Sequence, residues 1–518
     1  MQLIIPMSGI GKRFREKGYK LPKPFIQISG KSIIEHVIEM FPGVEDILFI
    51  VNRDHYEDPA LNLKEKLLRF APTAQIAVIA PHKLGPAWAI SQAKDFVKLD
   101  DPVVINYCDF ACIWDFPAFR EMLYSGLDGL IATYSGFHPH MLRSTQYAYL
   151  KMNQTENLVE IQEKLPFSSN PMKEPASSGT YGFGSGQILL DAIETQIVNN
   201  DSYKNEFYSS LTYRNMISSG KVIKKFEVDR FFQWGTPEDF EDFKWQKDFF
   251  TFKSKQKKRV LNATRLEILA AGVGKRFVHS GYSVAKPFLP LGKSFLVREA
   301  YESLGKPDGS VGILVQSDYE IPTDQASLLT EDHVVIRQVT GFTRGQAESA
   351  MISLASESKG SCVVGTCDSF IFPSSDLNLK YQKRTMGVWV YEPSDFAIAN
   401  PNQFGWVELN SEGEIRRSWV KAAPGTDGKV YVITGTFFFS DDQEAVALIE
   451  SFLQTTNLVN GEFYLDSLIV FAQKIGWKIF GLIPEWFVSL GTPEEYETYR
   501  YWESVFSSRP DLLVSDDE

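Results

Sequence analysis

Short, unbroken apolar runs alternate with amphipathic stretches along the 518-residue chain. Leu3–Met7 is one such run, of the kind a strand buried on both faces requires. Ser32 follows, placed to cap a helix in which Ile33, Ile34, Val37, Ile38 and Phe41 share one face. Strands are predicted at Ile47–Val51, Gln75–Ile79, Val103–Ile105 and Gly129–Tyr134, with helical stretches between several of them. Past residue 265 the pattern starts again, with Val311–Val315, Val334–Ile336, Cys362–Val364 and Gly387–Tyr391. Alternating strands and helices imply an α/β fold, a mostly parallel sheet with helices on both faces. Such sheets bind ligands at the carboxyl ends of their strands.

The second round of the pattern is a copy of the first. Gly9–Tyr19 and Gly272–Tyr282 are identical at 7 of 11 positions, at an offset of 263. Asp109 matches Asp368 at an offset of 259. Three further pairs share an offset of 256: Ser178–Tyr181 with Thr434–Phe437, Asn205–Tyr208 with Gly461–Tyr464, and Trp234–Glu238 with Leu490–Glu494. One order kept over the whole length, with a slowly falling offset, is what a tandem duplication with small loop deletions produces. The expected division is 1–248 and 265–505 for the two domains, with a linker at 249–264 and an acidic tail at 506–518 expected to fray. The run from Lys253 to Arg259 reads as a solvated linker or helix end.

Composition narrows the class. With 44% hydrophobic and 23% charged residues the chain can build ordinary globular cores. A net charge of -12 argues against a protein devoted to nucleic acid. Four cysteines in so long a chain do not make a disulfide framework and read as small buried hydrophobes. No window reaches the ~18 apolar residues of a membrane span, and Leu3–Ile5 run into a glycine loop without a basic region or cleavage site. The expectation is a cytoplasmic protein with no nucleic-acid or membrane partner; self-association is left open.

Three features offer chemistry. The first is Gly9-Ile10-Gly11-Lys12-Arg13, with Lys23 held between Pro22 and Pro24; Gly272, Gly274, Lys275, Arg276 and Lys286 repeat it. A Gly-x-Gly turn after a strand lets backbone N–H groups approach an anion, and Arg and Lys add charge suited to phosphate. It is neither the dinucleotide fingerprint nor a P-loop, since the third glycine and the lysine spacing are wrong. A bare structural turn is the competing reading, weakened by the Arg and Lys paired in both copies. The second feature is Asp109, with Asp368, each a lone carboxylate directly after a very apolar strand. It is either a Mg²⁺ ligand or a cap for the next turn. The third is Glu163-Lys164, matched by Val420-Lys421, where the lysine suits a second anion.

Together these residues resemble the nucleotidyltransferase family of sugar-nucleotide pyrophosphorylases, once per half. The family pattern is a strand, Gly-x-Gly-x-Arg, Pro-Lys-Pro, a strand-end Asp, Glu-Lys, Gly-Thr-Tyr and Gly-Thr-Pro-Glu. The chain supplies it as Gly9, Gly11, Arg13, Pro22-Lys23-Pro24, Asp109, Glu163-Lys164, Gly179-Thr180-Tyr181 and Gly235-Thr236-Pro237-Glu238. Arg-Phe and Gly-Tyr within the loop are similar to members from capsule and surface-glycan gene sets. The resemblance implies a GT-A-like, Rossmann-type fold and transfer of a nucleotidyl group from an NTP to a sugar-1-phosphate or another phosphomonoester. It further implies that Arg13 and the loop hold the departing phosphates, Lys23 sits on the α-phosphate, and Asp109 holds Mg²⁺. Lys164 would bind the acceptor phosphate, Gly179 and Thr180 would line its pocket, and the base would be read near Gly85. Arg276, Lys286, Asp368, Lys421, Gly435, Thr436 and Gly345 are the matching positions in the second copy.

Two departures stand out. Family members usually carry a second metal carboxylate two residues before the last Gly-Thr, where Gln233 and Ser489 stand here; either one carboxylate with the substrate phosphates suffices, or another acid such as Asp229 moves in. The second copy also has Ala285 for Pro22 and Val420 for Glu163. Competing readings are a transferase for a non-sugar phosphate such as phosphocholine, and a non-catalytic regulatory protein built from pseudo-enzyme domains.

Overall fold

Five of the six residues of the first strand, Gln2–Met7, are buried. A strand so apolar has to lie inside a sheet with cover on both faces. In the computed structural model it does, paired in parallel with Ile47–Asn52 on one side and Val103–Asn106 on the other. The structure describes residues 1–257, 259–323, 333–355, 359–374, 377, 382–425, 428–456 and 458–514. Lys258 of the basic run and 515–518 of the acidic tail lie outside them.

The chain divides into two units, Met1–Ser254 with Tyr501–Glu518, and Lys255–Arg500. In the first, a nine-stranded sheet runs in the order 158–163, 148–152, 176–183, 103–106, 2–7, 47–52 and 75–79. Strands 129–134 and 223–227 extend it from 176–183. The four strands from 103–106 to 75–79 are parallel neighbours; Ala176–Phe183 is antiparallel to its partners. A separate ribbon pairs Phe110–Ile113 with Arg230–Gln233. The capped helix is Ile33–Glu39, where the Glu35 carboxylate accepts from Ser32 N–H and Oγ at 2.7 Å.

The second unit repeats this strand for strand. Its order is 334–339, 311–316, 265–269, 362–366, 430–439, 385–391 and 478–482, with 405–409 and 415–420 paired beside 430–439. Ser369–Phe372 and Trp486–Ser489 form the matching ribbon. The duplicated α/β architecture is therefore present in the backbone itself.

Boundaries differ from the expectation in two places. The linker region is structured, being helix to Lys255 and a strand at Val260–Leu261 paired with Lys306–Pro307. The tail expected to fray is anchored to the first unit. Trp502 and Phe506 meet Phe243 ring to ring, Leu512 is buried, and Ser29 Oγ donates to Leu512 O at 2.6 Å. Aromatic burial outweighs the polar composition of that tail.

Candidate active site

Both glycine loops reverse direction through a left-handed residue, Gly11 (φ 65°) and Gly274 (φ 62°), which a side chain would oppose. The loop is then pinned by rings. Phe14, Tyr19 and Phe240 pack edge to face, and Phe277, Tyr282 and Tyr496 repeat the arrangement. Phe and Tyr of the loop motif thus hold it against the helix that follows Gly-Thr-Pro-Glu. Arg13 and Arg276 are left exposed, and neither forms an ion pair among the described residues. Lys12 instead faces Glu16 at 3.6 Å on the exposed side of its helix.

Adjacent strands 2–7 and 103–106 deliver Lys23 and Asp109 to one place. Lys23 Nζ is 2.7 Å from Asp109 Oδ2, both largely shielded. Burial alone would lower the Lys23 pKa, but Asp109 outweighs it and the ammonium is held above the ordinary lysine value. Lys286 and Asp368 make the same pair in the second unit. There burial would raise the Asp368 carboxyl, and Lys286 more than reverses this.

Gln233 and Trp234 close the site from the ribbon, with Trp234 N donating to Asp109 O at 2.9 Å. A Cβ on Gly235 would lie 3.0 Å from Asp109 Oδ2 and 2.6 Å from Gln233 Nε2, so carboxylate and amide flank one empty point. Asp229 does not take the role expected of it. It pairs with Ile113 at the far end of the ribbon, about 13 Å of strand from Gln233.

Lys164 ends strand Leu158–Glu163 in a left-handed conformation, φ 60°. Its ammonium lies 2.6 Å from Tyr208 Oη and 4.3 Å over that ring. Burial lowers its pKa, opposed by Glu163 and Glu206 and reinforced by Arg13. Arg13 also opposes the Lys23 ammonium, so it lies near enough to act on both lysines. Glu163 is buried beneath Lys164, accepting from Ser210 Oγ at 2.6 Å, and burial raises its pKa.

Several expected contacts fall elsewhere. Thr180 is fully buried with its hydroxyl on Asn106, and Thr436 is 1% exposed, so neither side chain reaches an acceptor. Gly179 and Gly435, at φ 100° and 86°, form the bulge beside them. At Gly85 a Cβ would be 2.7 Å from both Phe207 N and Phe207 O, and Gly345 meets Phe463 identically. These glycines admit a neighbouring backbone, a structural reason that does not require a nucleotide. Gly85→Ala should destabilise the first unit by roughly 1–3 kcal/mol, through the clash and its φ of 89°. Urea unfolding of the variant checks this. All four cysteines are buried, as expected.

Two residues were missed by the sequence reading. In the second unit Val420 replaces Glu163, but Asp466 replaces Ser210, and the Asp466 carboxylate lies against Gly405, the strand partner of Val420. In the first unit the same space, beside Ala148, holds Glu163. The carboxylate has moved between elements and stayed beside the lysine. Burial raises the Asp466 pKa to about 6, with Lys421 opposing. A carboxyl whose folded pKa is raised stabilises the fold when protonated. The second unit should therefore gain up to roughly 3 kcal/mol from Asp466 as pH falls from 7 to 4, and lose it as pH rises through 6. Chemical denaturation of Asp466→Asn should show a flatter pH dependence across that window.

The other missed residue is Glu495, one position past the Gly-Thr-Pro-Glu motif. Its carboxylate accepts from Ser489 Oγ at 3.1 Å and Thr492 N at 3.0 Å. A Cβ on Gly491 would have Glu495 Oε2 at 3.5 Å and Asp368 Oδ2 at 3.6 Å. Burial raises the Glu495 pKa, and Asp368 adds to it. Its counterpart Asp239 is occupied otherwise, by Thr236 Oγ1 at 2.8 Å and Arg143 at 3.8 Å.

A family model for nucleotidyl transferases matches residues 3–246. Over those residues the chain is similar to that family. Among relatives of the chain, the bifunctional protein GlmU of Methanococcus maripaludis is 37% identical over 225 residues, 43% of this chain and 48% of that protein. GlmU of Methanocaldococcus jannaschii is 26% identical over 185 residues, 35% of this chain and 40% of that protein. The chain thus spans less than half the length of these relatives. A nucleoside-diphosphate-sugar pyrophosphorylase structure from Vibrio cholerae is 21% identical, with TM-score 0.39, over 46% of this chain and 98% of that one. Among the described residues no helix is long and apolar enough to cross a membrane.

Proposed function

We propose that the N-terminal unit transfers a nucleotidyl group from an NTP to a sugar-1-phosphate, releasing pyrophosphate and forming an NDP-sugar, as supply for surface-glycan synthesis. The observation that carries this is Arg13 close enough to act on both Lys23 and Lys164, with Asp109 bonded to Lys23. An acceptor phosphate oxygen attacks the α-phosphorus, and the bond to the bridging oxygen of the β-phosphate breaks, with the electron pair leaving on pyrophosphate. Such transfer needs alignment and charge neutralisation more than covalent help from the protein. Lys23, its ammonium kept protonated by Asp109, meets the charge building at the α-phosphate. Arg13, unpaired and exposed, suits the leaving phosphates bidentately. Lys164, steadied by Tyr208, receives the acceptor phosphate.

Mg²⁺ fits the donor set around Gly235. Asp109 would hold it, and Gln233 would join with its amide turned so that Oε1 in place of Nε2 faces Gly235, since Mg²⁺ commonly takes one or two carboxylates and completes its shell with phosphate oxygens and water. When bound it would neutralise phosphate charge. The test is pyrophosphate release with Mg²⁺, each NTP in turn, and a panel of sugar-1-phosphates and phosphocholine. Release with a sugar-1-phosphate is expected. Release with phosphocholine alone would change the acceptor class, and none with any pair would support a regulatory protein.

A further inference from the structure

The C-terminal unit lies outside the matched residues 3–246, yet its cleft is not a decayed copy. One of its departures from the first unit is a pair of changes that keeps a carboxylate in place, and another lengthens one. Glu163 with Ser210 has become Val420 with Asp466, so a buried carboxylate still sits beside the lysine that ends the strand. Asp239, occupied by Arg143 in the first unit, has become Glu495. That side chain is one methylene longer and reaches the space that Asp368 also faces. Among the described residues Glu495 forms no ion pair. Two carboxylates around one point, with a single ammonium between them and the loop, form a stronger donor set for a divalent cation than Asp109 with an amide. Glu495 also caps its helix through Thr492, but Asp239 bonds Thr236 at the same place with a shorter side chain, so the cap does not require the extra methylene that brings Glu495 toward Asp368.

We propose that the C-terminal unit is a second nucleotidyltransferase centre with its own substrates. Arg276 and Lys286 take the phosphates of a nucleoside triphosphate, Asp368 and Glu495 hold a divalent cation, and Lys421 with Asp466 takes a phosphomonoester acceptor. The chemistry is that of the first unit, so the proposal rests on that reading for its reaction class. Its acceptor site differs in that Val420, partly exposed, stands where the buried Glu163 stands in the first unit. Arg276 acts on Lys421 as Arg13 acts on Lys164, so in each unit the two cations lie close together.

The test counts sites on the full-length chain. Mn²⁺ is titrated with a non-hydrolysable analogue of each NTP, with free Mn²⁺ followed by EPR and bound analogue by calorimetry. Two Mn²⁺–nucleotide complexes per chain are expected. Glu495→Gln should weaken one of the two Mn²⁺ sites by ~10-fold or more. Arg276→Ala, at an exposed position that does not threaten folding, should weaken one of the two nucleotide sites. A single complex per chain, weakened by Lys23→Ala and untouched by Glu495→Gln and Arg276→Ala, would overturn this inference and leave the first unit's assignment standing. No complex at all, from folded protein, would overturn both.

Discussion

Lys23→Ala should lower the turnover of the N-terminal unit by about 10²–10³-fold, the usual loss when one preorganised group facing transition-state charge is removed. The lysine is placed for this by two constraints at once. Pro22 and Pro24 hold its backbone, and Asp109 Oδ2 fixes its ammonium at 2.7 Å. Burial works against the charge, and the nearby carboxylate restores it, so the ammonium is present at any working pH. The loss should fall mainly on kcat, because charge at the α-phosphate grows only as the bond to pyrophosphate breaks. The fold should survive, since the Asp109 side chain left behind is 24% exposed and can be solvated. Steady-state kinetics, with circular dichroism as control, checks this. A change confined to KM would show that Lys23 only binds ground-state substrate.

The second large effect concerns stability. Glu267, fully buried in the central strand of the second unit, accepts from Arg265 at 2.5 and 3.0 Å and from Arg337 at 2.8 Å. Asp442 lies 3.5 Å from Arg265. The register places Ile4, Leu48 and Ala77 at the matching positions of the first unit, all buried and apolar. One copy therefore solves this layer with hydrocarbon and the other with an ion network that occupies the space above Gly312. Glu267→Ala should cost about 3–5 kcal/mol, because it removes the nearest carboxylate from the buried Arg265 guanidinium and the partner of the partly buried Arg337. Transplanting the apolar layer by Glu267→Ile, Gly312→Leu and Arg337→Ala should recover most of that loss. Denaturant unfolding of the two variants decides it. If the triple variant is no more stable than Glu267→Ala, the network cannot be exchanged for the apolar layer of the other copy.

The strands and the duplication were legible because buried parallel strands are written as unbroken apolar runs, and because two copies expose each other. Asp109 stood out because it follows such a run, and Lys23 and Lys164 because their motifs recur in the second copy. Glu495, Asp466 and the anchored tail were not. A carboxylate that moves from strand end to helix leaves no trace at the position where it is sought. Val420 alone looked like a loss, and only the strand pair Gly405–Val420 shows that Asp466 fills the gap. Gly85 and Thr180 misled in the opposite direction. Motif membership suggested ligand contact, whereas the backbone of Phe207 and the Asn106 side chain account for them.

The central claim is that Asp109, Lys23 and their neighbours carry out nucleotidyl transfer. Phosphorus NMR of the full-length protein with Mg²⁺, an NTP and a sugar-1-phosphate follows both products in one tube. The account predicts that pyrophosphate and the diphosphate diester of an NDP-sugar grow together in equal amounts, and that Lys23→Ala and Asp109→Asn suppress both. Unchanged spectra from folded protein with every NTP and acceptor tried, or an orthophosphate signal in place of pyrophosphate, would contradict it.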